Sequence, residues 1–332
     1  MHKKPRIVVV GSFVMDLIVS TPRFPNSGET VIGYGFQTAP GGKGANQAVQ
    51  AARLGADVTM VGKVGQDDFG KALLASAAAA GLDVSHVAVD NAVSSAVGNV
   101  QLEVHPGQKN KNRILVVPGA NMAITPDDIA FLKDTISDFD MVILQLEIPM
   151  AINELVAEYA FNAGVPVMLN SAPSAPLSPE LLSHLAYISP NEHEAADITG
   201  IAIRKENGSV NAEDIRANIA ALREMGVRNA LITLGSSGAI FGNEDEYIYS
   251  PCVDVVEVKD PTAAGDSFVG AFCTAVCAGL CHKEALEFAN YVATLTVSRM
   301  GAQPSLPTLD EVLALMENQN YPCAAAVREK LQ

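Results

Sequence analysis

Asp260-Pro261-Thr262-Ala263-Ala264-Gly265-Asp266-Ser267-Phe268 is the stretch on which the fold of this chain turns. An extended, β-rich run over 251–259 leads into it, and a small-residue, apolar run over 269–280 leads out. That succession predicts a small-residue turn followed by a helix whose first turn is 264–267. A helix start leaves its first backbone N–H groups unpaired and carries partial positive charge. Ala263, Ala264 and Gly265 have almost no side chain, so an anion can come close to those groups. Asp266 fits either of two tasks. It can favour the helix start, as first-turn acids do, or it can take a proton from a hydroxyl as phosphate arrives.

Outward from there, strands and helices alternate. The run 6–10 reads as a buried first strand, and 45–54 as a small-residue helix closed by Gly55. Strands are expected at 58–61, 141–146, 165–169, 186–189 and 230–234, with helices at 67–80, 151–163, 192–199, 214–225, 284–299 and 309–317. Residues 238–241 and 246–249 read as a hairpin, and Thr125-Pro126-Asp127-Asp128 as a helix start. The alternation predicts an α/β fold, a Rossmann-like, doubly wound, mostly parallel sheet. Two β-rich pieces lack a helix to cover them, about 17–38 and 95–117, the second with a turn at Pro106-Gly107. They are expected to pair as a small β-sheet lid inserted into a single domain over 1–320, followed by a tail at 321–332.

The 332 residues are 48% hydrophobic and 18% charged, enough for a sizeable core. A net charge of −15 argues against nucleic acid or an anionic membrane as partner. No apolar run reaches transmembrane length, and Ile7-Val8-Val9-Val10 is too short for a signal peptide core. A soluble, cytoplasmic protein is expected. The five cysteines include no Cys-x-x-Cys, and Cys273, Cys277 and Cys281 read as packing residues on one helix face.

Other polar groups sit where a ligand crevice would open. Gly41-Gly42-Lys43-Gly44-Ala45-Asn46 is glycine-rich and opens a helix, but it is neither a P-loop nor a dinucleotide fingerprint. Lys43 can reach a phosphate or be solvated. Asp16, just past the first strand, can accept sugar hydroxyls or sit in a surface turn. Glu147 can do the same or act as a cap. Asn191 and Glu194 suit a water-rich Mg²⁺ shell, with an N-cap as the other reading of Asn191. Thr233 to Gly238 offers N–H groups to phosphate, or forms an ordinary hairpin turn.

Taken in this order, these motifs resemble the ribokinase-like branch of the carbohydrate and nucleoside kinase family. The resemblance runs from Val10 to about Pro307, and Gly301-Ala302-Gln303-Pro304-Ser305 also belongs to it. It implies ATP-dependent phosphorylation of a sugar hydroxymethyl group, with Asp266 as base and Ala263, Ala264 and Gly265 as the anion hole. The acceptor it points to is the O5 hydroxyl of D-ribose, with 2-deoxyribose or another small sugar as the alternative. A nucleoside kinase and a non-catalytic sugar-binding protein are weaker alternatives. The resemblance further implies sugar contacts from Asp16, Gly42, Lys43, Asn46 and Glu147. Nucleotide contacts follow from Asn191, Thr233, Gly235, Gly238, Gly265 and Asn290. Mg²⁺ falls to Asn191 and Glu194. An activating K⁺ falls to the loops of Asp260, Thr262, Thr296, Arg299, Gly301 and Ser305, and the lid is expected to be shared across a homodimer. The chain departs from the usual Gly-Ala-Gly-Asp at Ala263, and Phe13-Val14 is bulkier than the usual start.

Overall fold

The computed structural model of the chain describes residues 3–105, 111–206 and 209–332. Its centre is the strand Arg6–Val10, where Ile7, Val8, Val9 and Val10 are all fully buried. An uninterrupted apolar run of this kind suits a strand covered on both faces. Ile7 and Val9 point into one core and Val8 and Val10 into the other.

Nine strands form the main sheet, in the order Tyr247–Ser250, Ala239–Gly242, Asn229–Thr233, Tyr187–Ile188, Val167–Asn170, Met141–Gln145, Arg6–Val10, Asp57–Gly65, Asp83–Asp90. All neighbours are parallel except at the first edge, where Ala239–Gly242 pairs antiparallel on both sides as the expected hairpin. Helices Lys43–Arg53, Ala264–Cys277, His282–Val297 and Leu309–Asn318 cover one face, and Met150–Asn162 and Ala212–Glu224 the other. The direction of winding reverses between Arg6–Val10 and Met141–Gln145. In such sheets the ligand crevice opens there, beyond the carboxyl ends of the strands.

The two uncovered β-rich pieces form a separate four-stranded sheet, ordered Gly35–Gly41, Val14–Thr21, Val97–Glu103, Lys111–Val117. Its first strand starts at Val14, earlier than the expected lid, so Asp16 lies inside a strand and not in a surface turn. The stretch before Gly35 is not a strand, because pairing with Val14–Thr21 begins at Ser20 opposite Gly35. The expected turn at Pro106-Gly107 lies outside the described residues. The edge strand Asp83–Asp90 had no sequence signal, its half-exposed Ser85 and His86 masking the pattern. Thr125 and Asp128 do cap a helix start, but the element is one short 3-10 turn, Pro126–Ile129, followed by the short helix Leu132–Thr135. Cys281 caps the helix after the one carrying Cys273 and Cys277, so the three do not share a face. The expected tail contains the helix Ala324–Leu331, whose Ala324 and Val327 are buried in the main core.

Candidate active site

Two helices bring the central groups together. Helix Lys43–Arg53 starts at Gly42, whose φ of 94° favours glycine. A Cβ there would lie 2.8 Å from Ser12 O and Val14 N, so the close approach also needs glycine. The unpaired amides of this start are satisfied by the switch-point residues: Lys43 N donates to Glu147 Oε2 (3.0 Å), and Gly44 N to Ser12 Oγ (3.2 Å). Ser12 Oγ donates in turn to Glu147 Oε2 at 2.5 Å. Glu147 thus caps this helix, while its Oε1 accepts no hydrogen bond from the described residues.

Helix Ala264–Cys277 starts at Ala263, which is left-handed at φ 60°. Ala264 N reaches back to Pro261 O at 3.3 Å, and Ser267 N donates to Ala263 O. Between them, the N–H groups of Gly265 and Asp266 have no partner among the described residues. These two open amides lie where the anion hole is expected; Ala264 N is partly engaged. Gly270 lies one turn further on. A Cβ at Gly270 would sit 2.7 Å from Gln47 O, so the glycine lets the two helices touch. That contact brings Asp266 within reach of the other helix: Asn46 Nδ2 donates to Oδ2 (2.8 Å) and Gln47 Nε2 to Oδ1 (3.2 Å). Asp266 is buried.

Asp266 faces a cleft of about 360 Å³ lined also by Lys43, Asn170, Ser189, Asn191, Glu194, Thr233, Gly235, Ala263, Ala264 and Gly265. Burial pulls the Lys43 ammonium down, but the carboxylates of Asp266, Glu147 and Glu194 outweigh it and hold Lys43 above the usual lysine range. It stays a cation amid three acids. Burial pushes Glu194 above the usual carboxylate range, against the Asn191 N–H and Lys43. Asn191 Oδ1 accepts from His193 N and Glu194 N (2.8 and 2.9 Å), and Glu194 Oε2 accepts from Asn191 N (2.9 Å). The pair is a capping box. Only Glu194 Oε1 is left to face a cation.

Asp16 lies on the lid sheet beside this cleft. Its carboxylate accepts no hydrogen bond from the described residues. Glycines make room for it: a Cβ at Gly98 would lie 2.3 Å from Oδ1, and one at Gly41 2.9 Å from Oδ2. Burial, and then the Glu147 charge, raise its pKa to about 6.

The remaining candidates lie apart. Asn290 Nδ2 donates to Ser250 Oγ (2.7 Å) and Pro251 O (3.2 Å), and Gly238 packs against Ser250 O; neither lines the cleft. Asp260 ties two loops together, Oδ1 accepting from Thr262 N and Oγ1 and Oδ2 from Gly301 N. Thr296 Oγ1 and Ser305 Oγ donate to Val292 O and Ala302 O, and Arg299 pairs with Glu311 at 2.7 Å. Their side chains are therefore engaged elsewhere. Sequence reasoning missed Ser12, Gln47, Asn170 and Ser189, and gave Gln145 no part. Polar residues ending otherwise apolar strands, Gln145 and Asn170, were the available signal.

The pattern of pfkB family carbohydrate kinases matches residues 4–309. The chain belongs to that family. A ribokinase of Schizosaccharomyces pombe is 40% identical over 315 residues, covering 92% of this chain and 96% of that protein. A Bacillus subtilis ribokinase is 38% identical over 310 residues, 93% and 99% of the two chains. Among solved structures, an Arabidopsis thaliana ribokinase complexed with ribose and ATP superposes with a TM-score of 0.85 at 35% identity, covering 95% of this chain and 99% of that one. The expected carbohydrate-kinase family and doubly wound fold with a small second sheet both hold. No helix among the described residues is long and apolar enough to cross a membrane.

Proposed function

We propose that this chain transfers the γ-phosphoryl group of ATP to the O5 hydroxyl of D-ribose, giving D-ribose 5-phosphate. The observation that carries the reading is Asp266, a buried carboxylate held by two side-chain amides at a helix start whose adjacent N–H groups are open. Relatives named ribokinase, and the likeness to a ribokinase complexed with ribose and ATP, support the same substrates.

The steps follow from placement. Asp16 offers two unclaimed carboxylate oxygens, which suit a vicinal diol and favour ribose over 2-deoxyribose. Lys43 and Asn46, on the helix that Gly42 N-caps, and Glu147 Oε1 complete the sugar side. Asp266 accepts the O5 proton as the phosphoryl group arrives in line. The Gly265 and Asp266 amides, with Ala263 and Ala264 shaping the turn, and the Lys43 cation hold the negative charge that develops. Thr233 and Gly235 border the nucleotide end of the cleft; Asn290 and Gly238 lie apart from it, against Ser250 and Pro251.

Mg²⁺ fits at Glu194 Oε1, largely through waters, since Asn191 Oδ1 already accepts two backbone N–H groups. It supplies charge neutralisation on the phosphates. The loops tied by Asp260, at Thr262, Thr296, Arg299, Gly301 and Ser305, would hold K⁺ through backbone carbonyls, adding positive charge near the helix start. The lid sheet excludes water from the transfer. Its edge strands expose Phe36 and Leu115 on one face and Ile114 and Val116 on the other, apolar surface that suits a second copy of the chain, as a homodimer. The cytoplasm, with its ATP and reducing poise, suits five free cysteines.

ADP release measured over ribose, 2-deoxyribose, fructose and adenosine tests the reading. Ribose is expected to give the highest kcat/KM. Adenosine as the best acceptor, or no sugar-dependent release, refutes it.

A further inference from the structure

We infer that Gln47, itself locked by Gln145 and Asn170, is a positioning residue that aims the Asp266 carboxylate at the acceptor hydroxyl. The inference rests on Asp266 being the base.

Four buried side chains from four elements form one branched network centred on Gln47. Gln145 and Asn170 end adjacent parallel strands and are register partners. Gln47 sits on helix Lys43–Arg53, and Asp266 on helix Ala264–Cys277. Gln145 Nε2 donates to Gln47 Oε1 at 2.8 Å. Asn170 Nδ2 is committed to Ser189 O at 2.8 Å, so its Oδ1 turns to Gln47. With its oxygen held, Gln47 can present only its NH₂. One hydrogen goes to Asn170 Oδ1 (3.1 Å), the other to Asp266 Oδ1 (3.2 Å). Gln47 is fully buried, so no water can replace these partners at low cost.

The geometry has a chemical consequence. Asn46 fixes Oδ2 and Gln47 fixes Oδ1, so the carboxylate plane cannot turn about its last bond. Gln47 touches neither sugar nor nucleotide by this arrangement. It acts through Asp266.

The isosteric Gln47→Glu is the main test, in the full-length enzyme. It keeps an acceptor for Gln145 and replaces the donor facing Asp266 with a carboxylate. Expected are an earlier melting transition, because a buried carboxylate then faces Asp266 and Asn170 Oδ1, in an enzyme that still folds, with ribose affinity by calorimetry within about threefold and a loss in kcat of about 10–100-fold. The acid limb of the kcat–pH profile moves to higher pH, a change a purely structural role would not produce. Gln145→Met, which frees Gln47 to flip, is expected to shift the limb the same way with a smaller kcat loss. It carries the test if Gln47→Glu does not fold. Unchanged kcat and acid limb in a folded variant, beside an active wild type, overturn this inference alone. A wild type without sugar-dependent ADP release overturns the kinase reading, and this inference with it.

Discussion

Lowering the pH from 7 to 5 should weaken sugar binding, because Asp16 is partly buried beside the Glu147 charge. Asp16 has no hydrogen-bond donor among the described residues, and burial followed by the Glu147 charge brings its pKa to about 6. A carboxyl raised in this way is ionised above that value and accepts sugar hydroxyls there. As pH falls through it, the carboxylate protonates and that acceptance is lost. With a midpoint of about 6, about nine-tenths is ionised at pH 7 and about one-tenth at pH 5. The apparent KM for ribose should therefore rise about tenfold over that interval, with kcat at saturating sugar changing much less. Asp16→Asn should remove the charge-assisted bonds, worth about 1.5–3 kcal/mol, and raise KM by about 10–100-fold with a flatter pH dependence. Glu147→Gln should move the midpoint down. Coupled ADP release at fixed ionic strength gives KM and kcat across the range. A wild-type KM flat to within about twofold, or an Asp16→Asn enzyme that keeps the wild-type slope, refutes the reasoning.

Asp266→Asn should lower kcat by about 10²–10⁴ while ribose affinity by calorimetry changes little; near-wild-type turnover would remove the base. The same variant should melt earlier, because its NH₂ must face Asn46 or Gln47, both of which donate. Gly42→Ala forces a side chain into φ 94° and against Ser12 O and Val14 N, so soluble yield and thermal midpoint should fall sharply; an unaltered midpoint contradicts the close-approach argument. Asn191→Ala strips the cap from two backbone N–H groups and should cost about 1 kcal/mol in denaturant unfolding, with a higher KM for ATP.

The body of the fold was legible because its signals are local. Ile7-Val8-Val9-Val10 announces a doubly covered strand, and Ala263-Ala264-Gly265-Asp266 a helix start bare of side chains. The position of Asp16 was less so. Reading it past the first strand was right, but its membership of the lid sheet depends on pairing with Ala39 and Gly98, distant in sequence. Asn191 and Glu194 were placed together, and the N-cap reading of Asn191 was the one that holds: a capping box engages Asn191 Oδ1 and Glu194 Oε2. The amides around Asp266 were illegible because they come from positions distant in sequence. Gln47 and Asp266 meet across 219 positions, through a helix contact that Gly270 permits.

The parallel pairing of Met141–Gln145 with Val167–Asn170 sets Gln145 opposite Asn170. Successive strand residues face opposite sides, so slipping either strand by one position would turn its terminal amide away from the helix layer. Length changes in the connecting segments are neutral to this; a single inserted residue within either strand is not. Tolerance to insertion should accordingly be lowest in these two short apolar strands, well away from the glycine loops that first draw the eye.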